Sequence, residues 1–252
     1  MPYADNQGVR VHYKVEGDGP PLVLQHGFTQ NLERWYECGY VDQLKPHFRL
    51  ILIDARGHGG SDKPHEHSAY AWPAMVDDVA AVLDSLDLRK ASFWGYSMGG
   101  GIGFGILQAH PDRIGAVVIG GSSASAQDAR TGLGHVDGRD PEAFVSALEK
   151  LFGANIAPAV KARLLASDTQ ALAAAAPVRP SLENILPAVA TPSLLYVGER
   201  DVFFPKAQAT AKLMQRASFV PLPGLNHAEA FMRSDLVVPV VKDFLDKHVS
   251  RS

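Results

Sequence analysis

Residues 95–99 read Gly-Tyr-Ser-Met-Gly, a G-x-S-x-G pentapeptide. It follows the short apolar and aromatic run Ala91-Ser92-Phe93-Trp94 and precedes a stretch studded with glycine. A serine held on a sharp strand-to-helix turn has its hydroxyl pushed into the open, where it can attack a carbonyl carbon. Five letters alone leave a chance match in a glycine-rich turn open. A serine nucleophile also needs a base, an acid to orient that base, and donors for the developing oxyanion.

Each of these has a candidate at the carboxyl end of an expected strand, where open α/β sheets gather their ligand-facing residues. Asp201 follows the run Leu194-Leu195-Tyr196-Val197 through Gly198-Glu199-Arg200, and His227 follows Pro223-Gly224-Leu225-Asn226. The chain order Ser97, Asp201, His227 is the order such a triad takes on a sheet with a nucleophile elbow. The backbone amide of Phe28, in Gln25-His26-Gly27-Phe28, and that of Met98 are the candidate oxyanion donors. Glu199 competes with Asp201, which is preferred because it stands just before the chain turns into a helix at 202–205. An aspartate after a strand is otherwise a turn former or helix cap. His26 is read as shaping its loop. His65 and His67, flanking Glu66, are read as solvated, because they lack the helical spacing of a zinc-protease motif.

Positioning these residues takes alternating strands and helices. Residues 9–15 alternate with period two and predict a strand with one solvated face. Short apolar runs at 22–24, 49–53, 91–94, 114–119, 193–197 and 218–222 predict buried strands. Helical spacing is present over 70–86, and helices are expected over 35–44, 98–108 and 206–216, with a last one ending near His248. This alternation predicts an α/β fold with a mainly parallel sheet and helices on both faces. It breaks over 123–186, which shows no convincing strand and helix-like pieces at 142–152, 159–165 and 171–176. The expected organisation is a core of 1–122 and 187–252 with a helical cap at 123–186. The glycine-rich loop 54–62 lacks the spacing of a phosphate cradle and reads as scaffold. Gly99, Gly100, Gly101, Gly103 and Gly105 read as close approach of a helix to the sheet, in preference to a dinucleotide site.

The chain has 252 residues, 46% apolar and 20% charged, with a formal net charge of −3. That is ordinary for one soluble α/β domain and gives no basic surplus to favour nucleic acid or an anionic membrane. A single cysteine, Cys38, allows no internal disulfide or zinc-ligand cluster. The first residues lack the pattern of a signal peptide, and no run approaches the roughly 18 apolar residues that span a bilayer. The expectation is a cytoplasmic protein acting on a small molecule without cofactor or metal; the sequence leaves its oligomeric state open.

Taken together, His26-Gly27-Phe28, Asp54-x-Arg56-Gly57-x-Gly59-x-Ser61, Gly95-Tyr96-Ser97-Met98-Gly99-Gly100, Gly198-Glu199-Arg200-Asp201 and Asn226-His227 resemble the α/β-hydrolase superfamily. The resemblance implies an eight-stranded, mostly parallel sheet and a Ser97–His227–Asp201 triad under a helical cap. Some members carry the acid before the cap, where this chain has Gly120-Gly121-Ser122-Ser123 and no carboxylate. Members with an aspartate nucleophile, the haloalkane dehalogenases and epoxide hydrolases, are disfavoured by Ser97. The family's usual glycine before the histidine is Asn226 here. The implied activity is hydrolysis of a small ester, thioester or lactone. The same triad also serves C–C hydrolases, perhydrolases, lyases and slow-turnover receptors of this fold.

Overall fold

Alternate residues of the strands bury into two different apolar layers, which is what a sheet covered on both faces requires. Val23, Ile51, Ile53, Phe93, Val117, Ile119 and Leu195 share one cluster with the helices Trp72–Ser85 and Met98–Ala109. Leu22, Leu24, Leu50, Leu52, Trp94, Tyr96, Val118, Leu194 and Tyr196 share the other with Tyr40–Leu44 and Ser234–His248. This computed structural model describes residues 2–134, 136–152 and 156–248. The ends of the expected core and two short pieces of the expected cap lie outside the described residues.

The strands are β1 (Tyr3–Asn6), β2 (Val9–Glu16), β3 (Pro21–Gln25), β4 (Arg49–Ile53), β5 (Ala91–Tyr96), β6 (Ile114–Gly120), β7 (Gln127–Asp128), β8 (Val178–Arg179), β9 (Ser193–Gly198) and β10 (Ala217–Leu222). Eight form one sheet in the order β1-β2-β4-β3-β5-β6-β9-β10. The β1–β2 and β2–β4 pairings are antiparallel and the rest parallel. The carboxyl ends of β3, β5, β6 and β9 therefore open on one edge of the sheet.

Two expectations are corrected and one strand is added. The helix expected over 35–44 is two, Glu33–Glu37 and Tyr40–Leu44, because Gly39 sits at φ +74°, where an α-helix cannot continue. The amino-terminal residues, left unassigned by pattern, form the edge strand β1. The segment 123–186, expected to lack strands, contains the antiparallel pair β7–β8, with Gln127 opposite Arg179. Its helices Pro141–Phe152, Pro158–Leu165 and Thr169–Ala174 gather a separate apolar cluster that includes Phe144, Leu148, Leu164 and Leu172, with Phe28 packed against it.

Candidate active site

Ser97 joins β5 to the helix Met98–Ala109 with φ +55° and ψ −112°, a backbone conformation that a residue with a side chain adopts only at a cost. The glycines on either side permit it. A methyl group at Gly95 would collide with the Gly99 carbonyl, and one at Gly99 with the Gln25 carbonyl at the end of β3. The Ser97 amide donates to the Gly120 carbonyl at 2.8 Å, and its own carbonyl accepts from Gly101 at 2.9 Å. The serine is pinned between two strand ends and the first turn of its helix, with its side chain partly exposed.

Asp201 and His227 meet at the same edge. His227 Nδ1 lies 2.6 Å from Asp201 Oδ2. The carboxylate accepts, so Nδ1 carries the proton and Nε2 is left as an acceptor. The Asp201 side chain is fully buried while that of His227 is 35% exposed, so the acid is fixed and the imidazole reaches the crevice. Asp201 Oδ1 accepts from the Phe203 amide at 2.9 Å. Asn226 caps the helix His227–Met232 in a capping box: its Oδ1 accepts from the Glu229 amide at 2.9 Å, and Glu229 Oε2 accepts from the Asn226 amide at 2.8 Å. Asparagine in place of glycine thus starts the helix that carries the imidazole. Glu199, the competing acid, instead accepts from the Gly224 amide at 3.2 Å.

Ser97 and His227 share neighbours without hydrogen-bonding each other. The Tyr96 ring packs 5.2 Å from the His227 ring, and a methyl group at Gly121 would come within 3.0 Å of His227 Cε1.

The loop that carries Phe28 is held by two buried, neutral imidazoles. His26 Nε2 accepts from the Ala55 amide at 3.0 Å while Nδ1 donates to the Gly27 carbonyl at 2.8 Å. His58 Nε2 accepts from the Thr29 amide at 3.2 Å while Nδ1 donates to the Arg56 carbonyl at 2.9 Å. Burial lowers the pKa of His26, and burial with the neighbouring His26 pushes His58 down to about 3. Among the described residues, neither the Phe28 nor the Met98 amide has a protein acceptor. Gly27 brings the Phe28 loop beside Ser97, since a methyl group there would stand 3.3 Å from Ser97 Cβ.

The loop 54–62 is scaffold, and it organises more of the site's surroundings than its residue types disclose. Asp54 Oδ1 accepts from the Leu32 amide at 2.8 Å, and Oδ2 from the Gly60 amide at 2.8 Å, with His12 Nδ1 2.7 Å away. Arg56 makes two bonds to buried Asp78, at 2.7 and 2.6 Å, and Asn6 donates to the same carboxylate at 2.8 Å. The repeated polar and glycine positions of Asp54-x-Arg56-Gly57-x-Gly59-x-Ser61 were the available signal. His65 and His67 are exposed, as expected, and each also touches the segment between β6 and β9. His65 Nε2 lies 3.0 Å from Asp168 Oδ2, and His67 Nδ1 3.2 Å from the Ala174 carbonyl.

Among the described residues no cluster of three or more His, Cys, Asp or Glu side chains could hold a metal, and no helix is long and apolar enough to cross a membrane.

A family model for the alpha/beta hydrolase fold matches residues 20–181. The putative 2-succinyl-6-hydroxy-2,4-cyclohexadiene-1-carboxylate synthase of Bacillus subtilis is 36% identical over 113 residues, covering 43% of this chain and 40% of that protein. The chain therefore spans about two fifths of the length of that curated relative. An enol-lactonase from Burkholderia xenovorans superposes with a TM-score of 0.82 at 24% identity, covering 97% of this chain and 100% of the other. An esterase from Rhodococcus sp. does so with a TM-score of 0.80 at 25% identity, covering 98% of each. With more than half of its length matched by the family model, and with the strand order and serine elbow described above, the chain belongs to the α/β-hydrolase fold family.

Proposed function

We propose that the protein is a serine hydrolase that cleaves a small carboxylic ester, thioester or lactone through an acyl-enzyme on Ser97. The observation that carries this reading is the 2.6 Å Asp201–His227 hydrogen bond, which leaves His227 Nε2 free to accept a proton at the edge where the Ser97 elbow opens. As the Ser97 oxygen bonds to the substrate carbonyl carbon, its proton passes to Nε2 and Asp201 stabilises the imidazolium without itself being protonated. The carbonyl oxygen, now an anion, accepts from the Phe28 and Met98 amides; loss of one such donor costs roughly 10²–10³ in rate. Collapse breaks the bond to the leaving oxygen or sulfur, which takes the proton from His227. Water, deprotonated by the same imidazole, then releases the acid and restores Ser97.

The segment 123–186 acts as the cap over this crevice in the same reading. The serine at the elbow favours acyl transfer over the chemistry of family members whose nucleophile is aspartate. The lactonase and esterase among the structural neighbours agree with an acyl substrate. Labelling by a fluorophosphonate probe, lost in Ser97→Ala, followed by turnover of p-nitrophenyl acetate and butyrate, tests the proposal. A Ser97→Ala protein that keeps its esterase rate within tenfold sinks it.

A further inference from the structure

The strand that returns from the segment after β6 carries a buried cation with no ion pair among the described residues. Arg179, in β8, is 3% exposed. Its Nη2 donates to the Ser123 carbonyl, while Nε and Nη1 are buried with no hydrogen-bond partner. The carboxylate that influences it is Glu183, which is already engaged by Ser125 Oγ at 2.7 Å and Ser181 Oγ at 3.2 Å. Burial pulls the guanidinium down to about 10, still protonated at neutral pH. A buried charge is ordinarily paired, and guanidinium donors left without acceptors are costly.

The position of this cation gives it a chemical meaning. A methyl group at Gly101 would stand 3.0 Å from Arg179 Nε, and the guanidinium lies 5.9 Å from the centre of the Trp72 ring. The Gly101 amide donates to the Ser97 carbonyl, so the guanidinium flanks the nucleophile helix about one turn, or about 5.4 Å, from the elbow. The Ser123 carbonyl that it holds follows closely on Gly121, which adjoins the His227 ring.

We propose that Arg179 is an anion subsite on the acyl side of the crevice, so that the preferred substrates are half-esters, half-thioesters or lactones of dicarboxylic acids. The proposal rests on the acyl-transfer reading of Ser97. The distal carboxylate of the acyl group accepts from the donors that Ser123 leaves free, and a guanidinium suits that role better than an ammonium.

The test compares kcat/KM for p-nitrophenyl hemiglutarate and p-nitrophenyl valerate. The hemiglutarate is expected to be favoured by about tenfold or more, as a charge-assisted hydrogen bond would give. Arg179→Met is expected to bring that ratio close to unity, and Arg179→Lys to retain part of it. A ratio near unity in the unmodified protein, or an equal loss on both esters in Arg179→Met, overturns the subsite and leaves Arg179 as a clamp on Ser123. Should Arg179→Met not fold, glutarate and its uncharged diamide are compared as competitive inhibitors of the unmodified protein. Equal inhibition overturns the proposal, and inhibition by glutarate alone supports it. Calorimetric titration of Ser97→Ala with glutarate separates the two readings. Binding without any ester turnover in the unmodified protein fails the Ser97 reading alone, and turnover without glutarate binding fails the subsite alone.

Discussion

The Tyr96 hydroxyl donates a 2.6 Å hydrogen bond to the main-chain carbonyl of His227, so the residue before the elbow serine also holds the start of the helix that carries the imidazole. Tyr96 is buried at 2% exposure, and burial, with Tyr196 and Asp201 nearby, keeps its phenol protonated far above neutral pH. Tyr96→Phe leaves the carbonyl without its donor. The expected result is a stability loss of about 1–3 kcal/mol and a kcat lowered by about tenfold with KM little changed. Urea unfolding and steady-state kinetics on the same preparation check both parts, and an unchanged kcat would show that His227 is held by its helix cap alone.

On the proposed mechanism, removing the Ser97 hydroxyl and removing the Asp201 carboxylate should differ in depth. Ser97→Ala is expected to lower kcat by on the order of 10⁶. Asp201→Asn keeps a side chain of the same shape but presents the wrong hydrogen-bonding group to Nδ1, and is expected to lower kcat by about 10⁴. Both variants should unfold near the parent's midpoint, which thermal melts verify. An Asp201→Asn protein with more than a tenth of the parent rate would point to Glu199 as the acid.

Acid should weaken the fold through His58. Its folded pKa of about 3 lies below the ordinary value of 6.5, so between those limits the unfolded chain holds a proton that the folded chain does not. Stability from this group is therefore full above about pH 6.5 and is lost as pH falls toward 3. Integrating that difference gives a loss of about 2 kcal/mol between pH 7 and pH 5, and His26, also lowered by burial, acts in the same direction. Urea midpoints at the two pH values measure it. His58→Gln should flatten the slope, and an identical slope in that variant would assign the acid sensitivity elsewhere.

The Arg56–Asp78 pair should behave as a buried pair that cannot lose one member. Both side chains are at most 4% exposed, and burial works to raise the Asp78 pKa against the pull of Arg56. Asp78→Ala leaves the guanidinium uncompensated, so a destabilisation of about 3–5 kcal/mol is expected. Replacing Arg56 and Asp78 together with apolar residues should cost less than either single change. A double variant as unstable as the sum of the singles would show that the pair is uncoupled.

Much of this architecture was legible because its signals are local. Period-two spacing reported β2, helical spacing reported the helix Trp72–Ser85, and buried strands such as β5, covered on both faces, were read as short apolar runs bounded by turns. The order of Ser97, Asp201 and His227 followed from reading each as the residue after a strand. What escaped was either very short or dependent on distant partners. The pair β7–β8 is too brief to show a period. The double role of Asp54 becomes visible only when Leu32, Gly60 and His12 are brought around it. The contacts of His65 and His67 cross more than a hundred residues of chain. Orphaned guanidinium atoms such as those of Arg179 leave no trace in a pattern of residue types.

The glycines packed around Ser97 have a consequence for how this protein can change. Gly95 and Gly99 each lie against main-chain carbonyls, so neither can be enlarged without dismantling the elbow. The backbone conformation at Ser97 is fixed by main-chain packing, and point substitution cannot retune it by degrees. Divergence toward new substrates is channelled into the positions that can accept a different side chain: Met98, Phe28 and the helices between β6 and β9. A lineage of such proteins can exchange the side chains around the elbow freely while the pose of the elbow serine stays inherited.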